Sequence, residues 1–159
     1  MDDAACRRSS SSSWRVRSTA AAAYLKTPDG GQIRSLFSVG FCFGGALSYL
    51  QAASGLGYAC VIGFYGWPLG LKRWPDRPRP IDAVARYTCP VLSLFGGADE
   101  GIPPTAIDEF DGACKKARVK HEFTVYPGAP HSFFDRKYAE FADASSDAWR
   151  RVQAFVQKP

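Results

Sequence analysis

Four apolar runs of strand length recur along the chain: Leu36-Phe-Ser-Val39, Tyr58-Ala-Cys-Val-Ile-Gly-Phe64, Val91-Leu-Ser-Leu-Phe95 and His121-Glu-Phe-Thr-Val-Tyr126. Between and after them lie stretches of helical pattern. Ala20 to Lys26 is a helix by propensity, closed by Pro28 and Gly30-Gly31. Gly44 to Ala53 reads as a second helix with Leu47 and Leu50 on one face. Pro103-Pro104 opens a third, whose apolar positions Ile107, Phe110, Cys114 and Ala117 are spaced by three and four. A last helix from about Tyr138 to Val156 carries the stripe Phe141, Trp149, Val152 and Phe155 or Val156. Strands alternating with helices predict an α/β fold, a mostly parallel sheet with helices on both faces.

The 159 residues, 46% of them apolar, suffice for one core and one domain. Residues 1–18 are expected to form a disordered or irregular tail, because Arg7-Arg8 and the Ser9–Ser13 run offer no apolar face. Asp2 and Asp3 argue against a transit peptide there. The folded domain is expected over residues 19–159. No apolar run approaches the ~20 residues of a membrane span. The net charge of +5 is dispersed over Arg7, Arg8, Arg15 and Arg17 and over Lys72, Arg73, Arg77 and Arg79, the latter in a Pro-rich loop. No nucleic-acid-binding motif accompanies it, so it reads as a solvated basic surface that suits an anionic small substrate. Five cysteines without a C-x-x-C pair argue against zinc and for a reducing, cytoplasmic setting.

Gly40-Phe-Cys-Phe-Gly-Gly45 lies where a strand turns into a helix. A sharp turn of this kind, G-x-nucleophile-x-G, forces the central residue into strained backbone and aims a helix N-terminus at it. That dipole favours a thiolate or an oxyanion, which makes Cys42 the candidate nucleophile. Gly40 and Gly44 are expected to lie against neighbouring backbone, where a Cβ would clash. The competing reading, a buried core thiol, suits Cys60 and Cys114 better, and Cys89 merely precedes a strand.

A thiol needs a base, and the base an orienting acid. Of the two histidines, His131 follows the fourth strand, at the sheet end where open α/β sheets carry their sites, whereas His121 opens that strand at the other end and is expected to be an ordinary surface residue. Asp99 follows the third strand and is the candidate acid, with Glu100 as its rival. The chain order Cys42, Asp99, His131 is that of the α/β-hydrolases. Class I glutamine amidotransferases share the elbow but place Glu two residues after their histidine, where this chain has Phe133 or Phe123.

The stretches Ser38-Val-Gly-Phe-Cys-Phe-Gly-Gly45, Gly63-Phe-Tyr-Gly66, Cys89-Pro-Val-Leu-Ser-Leu-Phe-Gly-Gly-Ala-Asp99, Tyr126-Pro-Gly-Ala-Pro-His-Ser-Phe133 and Asp147-Ala-Trp-Arg150 resemble the dienelactone hydrolase (carboxymethylenebutenolidase) family, in the family's order. The resemblance implies an α/β-hydrolase domain that opens small esters or lactones, with neither metal nor organic cofactor. Cys42 would form a thioester, His131 would activate water, Asp99 would orient His131, and the Phe43 N–H would be one oxyanion donor. Tyr65, Trp67 and Arg136 are the implied substrate-binding positions. Measured against the family, the early strands, a second oxyanion donor and a glutamate beside the thiol are expected to be missing. The alternative reading is therefore a non-catalytic remnant or binding protein of the same fold.

Overall fold

The computed structural model describes residues 15–71 and 77–158. Helix α1 covers residues 15–25. Then follow β1 (Leu36–Phe41), α2 (Phe43–Gln51), β2 (Tyr58–Phe64), the short α3 (Pro80–Ala83), β3 (Val91–Gly96), α4 (Pro104–Lys116), β4 (His121–Tyr126) and α5 (Ala142–Val156). The four strands form one sheet in the order β1-β2-β3-β4. All three pairings are parallel, with Gly40 opposite Gly63, Phe64 opposite Leu94 and Gly96 opposite Tyr126. Every strand therefore ends at the same edge of the sheet.

Side chains alternate across the pleat and fill two layers. On one face Val61 and Val91 pack with Tyr49 of α2 and with Phe110 and Cys114 of α4. On the other, Ile62, Phe64, Leu92 and Leu94 pack with Ala148, Val152 and Phe155 of α5. Helices thus cover both faces of β2 and β3, as the alternation predicts. The edge strand β1 is covered on the α2 side only, and its Phe37, Val39 and Phe41 remain exposed.

Several local expectations shift. Residues 15–18, assigned to the irregular tail, are helical and continuous with the alanine run. No Gly or Pro interrupts the segment, so the helix propagates through it, and Ser18 Oγ accepts a 2.6 Å hydrogen bond from Gln51 Nε2. The Ser run, Cys6, Arg7, Arg8, Lys72 and Arg73 lie outside the described residues. Helix α5 starts at Ala142 rather than Tyr138, and residues 132–141 form turns. Its buried stripe is Ser145, Ala148, Val152 and Phe155, whose small members let the helix approach the sheet. Trp149 is turned off that line and is 47% exposed. Ala117 caps α4 instead of extending its buried face, and is exposed.

Candidate active site

Each strand delivers one residue of the site just past its C-terminal end: Cys42 after β1, Tyr65 after β2, Asp99 after β3 and His131 after β4. Cys42 is the N-cap of α2, with φ 56° and ψ −121°. Such geometry is strained for a residue with a Cβ. It is fixed by the Cys42 N–H, which donates to Phe64 O at 3.0 Å, and by Cys42 O, which accepts from Gly45 N at 3.0 Å. The crowding falls partly where expected. A Cβ at Gly40 would stand 2.0 Å from Gly44 O, and one at Gly45 would stand 2.7 Å from Phe64 O. A Cβ at Gly44, however, would meet nothing within 4 Å. The elbow needs glycine at the residue two before and the residue three after Cys42, because those face β1's own turn and the backbone of β2. Phe43 begins α2, so its backbone N–H lies at the positive end of the helix dipole. Arg77 lies over the Phe43 ring, 5.5 Å from its centroid.

The acid and the histidine meet because two loops press together. The Gly97 N–H donates to Tyr126 O at 2.8 Å and the Ala98 N–H to Ala129 O at 2.9 Å. Gly96 makes this approach possible, since a Cβ there would be 2.3 Å from Ala129 O. Asp99 is thereby brought under His131, whose Nδ1 donates to Asp99 Oδ2 at 2.6 Å. The other carboxylate oxygen accepts the Gly101 N–H at 2.9 Å. The Asp99 side chain is 2% exposed and that of His131 28%. Glu100, the rival acid, points to solvent.

The hydrogen bond to Asp99 raises the pKa of His131; burial opposes it, and the nearby Cys42 thiol raises it further. Nε2 of His131 is buried and forms no hydrogen bond. One ring nitrogen is thus engaged by Asp99, and the other has no hydrogen-bond partner among the described residues. Burial pushes the other described thiols up, Cys60 and Cys114 to about 12 and Cys89 to about 11. Those three are inert core thiols, while Cys42 is half-buried.

The walls are aromatic. Tyr65 and Trp67 each hold a ring 4.9 Å from the His131 imidazole, and Phe41, Phe64 and Phe134 stack on one another beside them. Tyr65 has φ 38° and Ser132, next to His131, φ 62°. Strain therefore gathers at three residues around the imidazole and thiol, a pattern typical of functional sites. Burial and the Asp135 carboxylate push the Tyr65 phenol well above its ordinary range. Sequence reasoning placed Tyr65 and Trp67 near substrate but missed both their packing on the histidine and the backbone strain at Tyr65, which no local residue pattern signals. Arg136 is exposed in the turns after His131, and its backbone N–H bonds Asp135. Its guanidinium forms no ion pair with any described residue, so nothing in the geometry ties it to the site. Among the described residues no cluster of three or more His, Cys, Asp or Glu is arranged to hold a metal ion, and no helix is long and apolar enough to cross a membrane.

A parallel sheet with a strained elbow after one strand and an Asp and His after later ones defines an α/β-hydrolase-like fold. The chain belongs to the dienelactone hydrolase family, whose sequence profile matches residues 5–159. It is 36% identical over 140 residues to a candidate carboxymethylenebutenolidase of Methylorubrum extorquens, a match covering 87% of this chain and 48% of that protein. A second candidate carboxymethylenebutenolidase, from Escherichia coli K12, is 32% identical over 125 residues, covering 78% of this chain and 46% of its own. Among solved structures, a candidate dienelactone hydrolase of Klebsiella pneumoniae superposes with a TM-score of 0.77 at 29% identity, over 87% of this chain and 57% of that one. An esterase of Thermogutta terrifontis shares the fold with a TM-score of 0.70 at 20% identity, over 86% and 60%. The chain spans about half the length of the curated relatives it matches.

Proposed function

We propose that the chain carries the reacting centre of a thiol hydrolase of small esters or lactones. Cys42 Sγ gives its proton to His131 Nε2 and attacks the carbonyl carbon. The tetrahedral oxyanion lies at the N-terminus of α2, with the Phe43 N–H as one donor. As the intermediate collapses, His131 returns the proton to the departing alkoxide, leaving a thioester on Cys42. His131 then takes a proton from water, whose oxygen attacks the thioester carbon; the C–S bond breaks, the acid leaves, and the Cys42 thiolate takes the proton back from His131. Asp99 keeps Nδ1 protonated and the ring in place throughout. The 2.6 Å bond between His131 Nδ1 and Asp99 Oδ2, with Nε2 left unbonded, is the observation that carries this reading. Membership of the dienelactone hydrolase family supports the substrate class. An anionic group on the substrate and a reducing, cytoplasmic setting belong to the same reading, on the net charge of +5 and the five cysteines without a C-x-x-C pair.

A second reading, a non-catalytic binding protein of the same fold, draws support from the outer edge of β1, which pairs with no other strand among the described residues. The two separate on p-nitrophenyl acetate. The hydrolase reading expects p-nitrophenol release with a stoichiometric acyl adduct on Cys42, both abolished in Cys42→Ala. Full esterase activity in Cys42→Ala would refute the nucleophile assignment. Neither turnover nor acylation in the unmodified chain would establish the second reading.

A further inference from the structure

The hydrogen bond of well-formed geometry on the His131 ring runs from Nδ1 to Asp99, with the Cys42 thiol close beside the ring. One bond at one ring atom does not fix the plane of an imidazole, since the ring can still swing about the axis through that bond. The ring must nevertheless keep Nε2 on the Cys42 side in both of its charge states. Two aromatic rings enclose it. Tyr65 packs at 4.9 Å with an interplanar angle of 59°, a tilted wall. Trp67 lies at the same 4.9 Å but at 24°, nearly parallel, so the indole presents its face to the imidazole.

Trp67 is itself constrained. It is half-buried, and the residue after it, Pro68, is fully buried. Its Nε1 is buried and has no hydrogen-bond partner. A Cβ at residue 101 would stand 3.1 Å from Trp67 Nε1 and 3.2 Å from Asp99 Oδ1. Gly101 thus leaves room for the indole beside the same carboxylate that holds the histidine. A buried N–H without a partner destabilises the fold, so its retention beside His131 fits a ring kept for its face.

We propose that Trp67 is a positioning residue for His131, a π-surface that holds the imidazole plane and stabilises its protonated form. Resting on the thiol hydrolase reading, this moves Trp67 from the wall that touches substrate to the machinery that acts through the base. An aromatic face attracts a cation stacked on it, so the indole favours the imidazolium that forms when Cys42 gives up its proton. It acts beside the other groups facing the imidazole: Asp99 at Nδ1, the Cys42 thiol, and Tyr65 with Asp135 behind it. Indole and carboxylate work in one direction, both favouring the charged ring.

The test is an NMR titration of His131 in the whole chain, paired with the rate of Cys42 alkylation by iodoacetamide at pH 6.5. Trp67→Leu is expected to lower the His131 midpoint by about 0.5 unit and to slow Cys42 alkylation about threefold, with Trp67→Phe restoring most of both. Uniform 5-fluorotryptophan keeps the shape of the ring and weakens its face. It is expected to lower the same midpoint by a smaller amount, and it serves if Trp67→Leu does not fold. A His131 midpoint unchanged by fluorination, and unchanged in Trp67→Leu where that variant folds, would overturn the proposal. His131→Ala reports separately on the function. If Cys42 alkylation does not change without the histidine, the thiol–imidazole couple is wrong, whatever Trp67 does to the titration.

Discussion

The molecule contains two histidine–aspartate pairs at opposite ends of the same strand. At the start of β4, His121 uses both ring nitrogens: Nε2 meets Asp111 Oδ1 at 2.9 Å and Nδ1 meets Val119 O at 2.8 Å. Its side chain is 11% exposed and packs edge-on against Phe123. Past the end of β4, His131 spends one nitrogen on Asp99 and keeps the other. Residue types and pair distances are nearly the same. What separates a strut from the proposed base is the unspent nitrogen and the thiol beside it. Two further differences reinforce this. Asp99 is enclosed and bonded by a backbone N–H, whereas Asp111 also carries Lys115 and is 29% exposed.

Substitution at the two histidines should therefore give opposite phenotypes. His131→Asn is expected to lower ester hydrolysis by at least ~10³-fold with little change in thermal stability, measured as kcat/KM beside a melting curve. His121→Asn should leave kcat/KM within about twofold. A large kinetic loss at His121 would erase the distinction. The next effect is on stability: His121→Ala, which strands two half-buried partners, should cost about 1 kcal/mol in urea unfolding.

The pairs should also respond to pH in opposite directions. His131 has its folded pKa raised from 6.5, first by the bond to Asp99, so its contribution is complete below that value and is lost as pH rises through the higher folded midpoint. Asp111 has its pKa lowered from 3.8, first by Lys115 and then by His121, so its contribution is present above that value and is lost as pH falls. Unfolding free energies from pH 3 to 9 should show a shallower alkaline slope in Asp99→Asn and a shallower acid slope in Asp111→Asn than in the parent, the acid slope being shared with Asp82 and Asp147. An unchanged alkaline slope in Asp99→Asn would show that the His131 pair does not link pH to folding.

Much of this was readable from residues, for identifiable reasons. The runs Tyr58–Phe64 and His121–Tyr126 are bounded by sharp changes in pattern and match β2 and β4 end to end. The elbow was readable because strain at Cys42 demands glycine nearby, although the demand falls on Gly45 and not Gly44. What failed depended on neighbours distant in sequence. The side chain of His121 is enclosed by α4 and Phe123, which no local pattern shows. Trp149 satisfies helical spacing yet lies off the line where α5 meets the sheet, toward Phe134 and the uncovered side of β1. The stacking of Trp67 on His131 likewise follows from the sheet bringing the ends of β2 and β4 together.

The backbone at Cys42 has one consequence for how such a chain is selected. At φ 56° and ψ −121°, glycine is the residue the fold itself would choose. Cys42→Gly is expected to raise the stability of the chain by about 1 kcal/mol while removing the thiol, read as a higher urea midpoint with no acylation. A screen that rewards robustness alone would drift toward glycine there, and one that rewards ester cleavage would drift back. On the proposed nucleophile role, position 42 is where folding and chemistry ask for different amino acids, and a single library at that codon would measure how strongly each is felt.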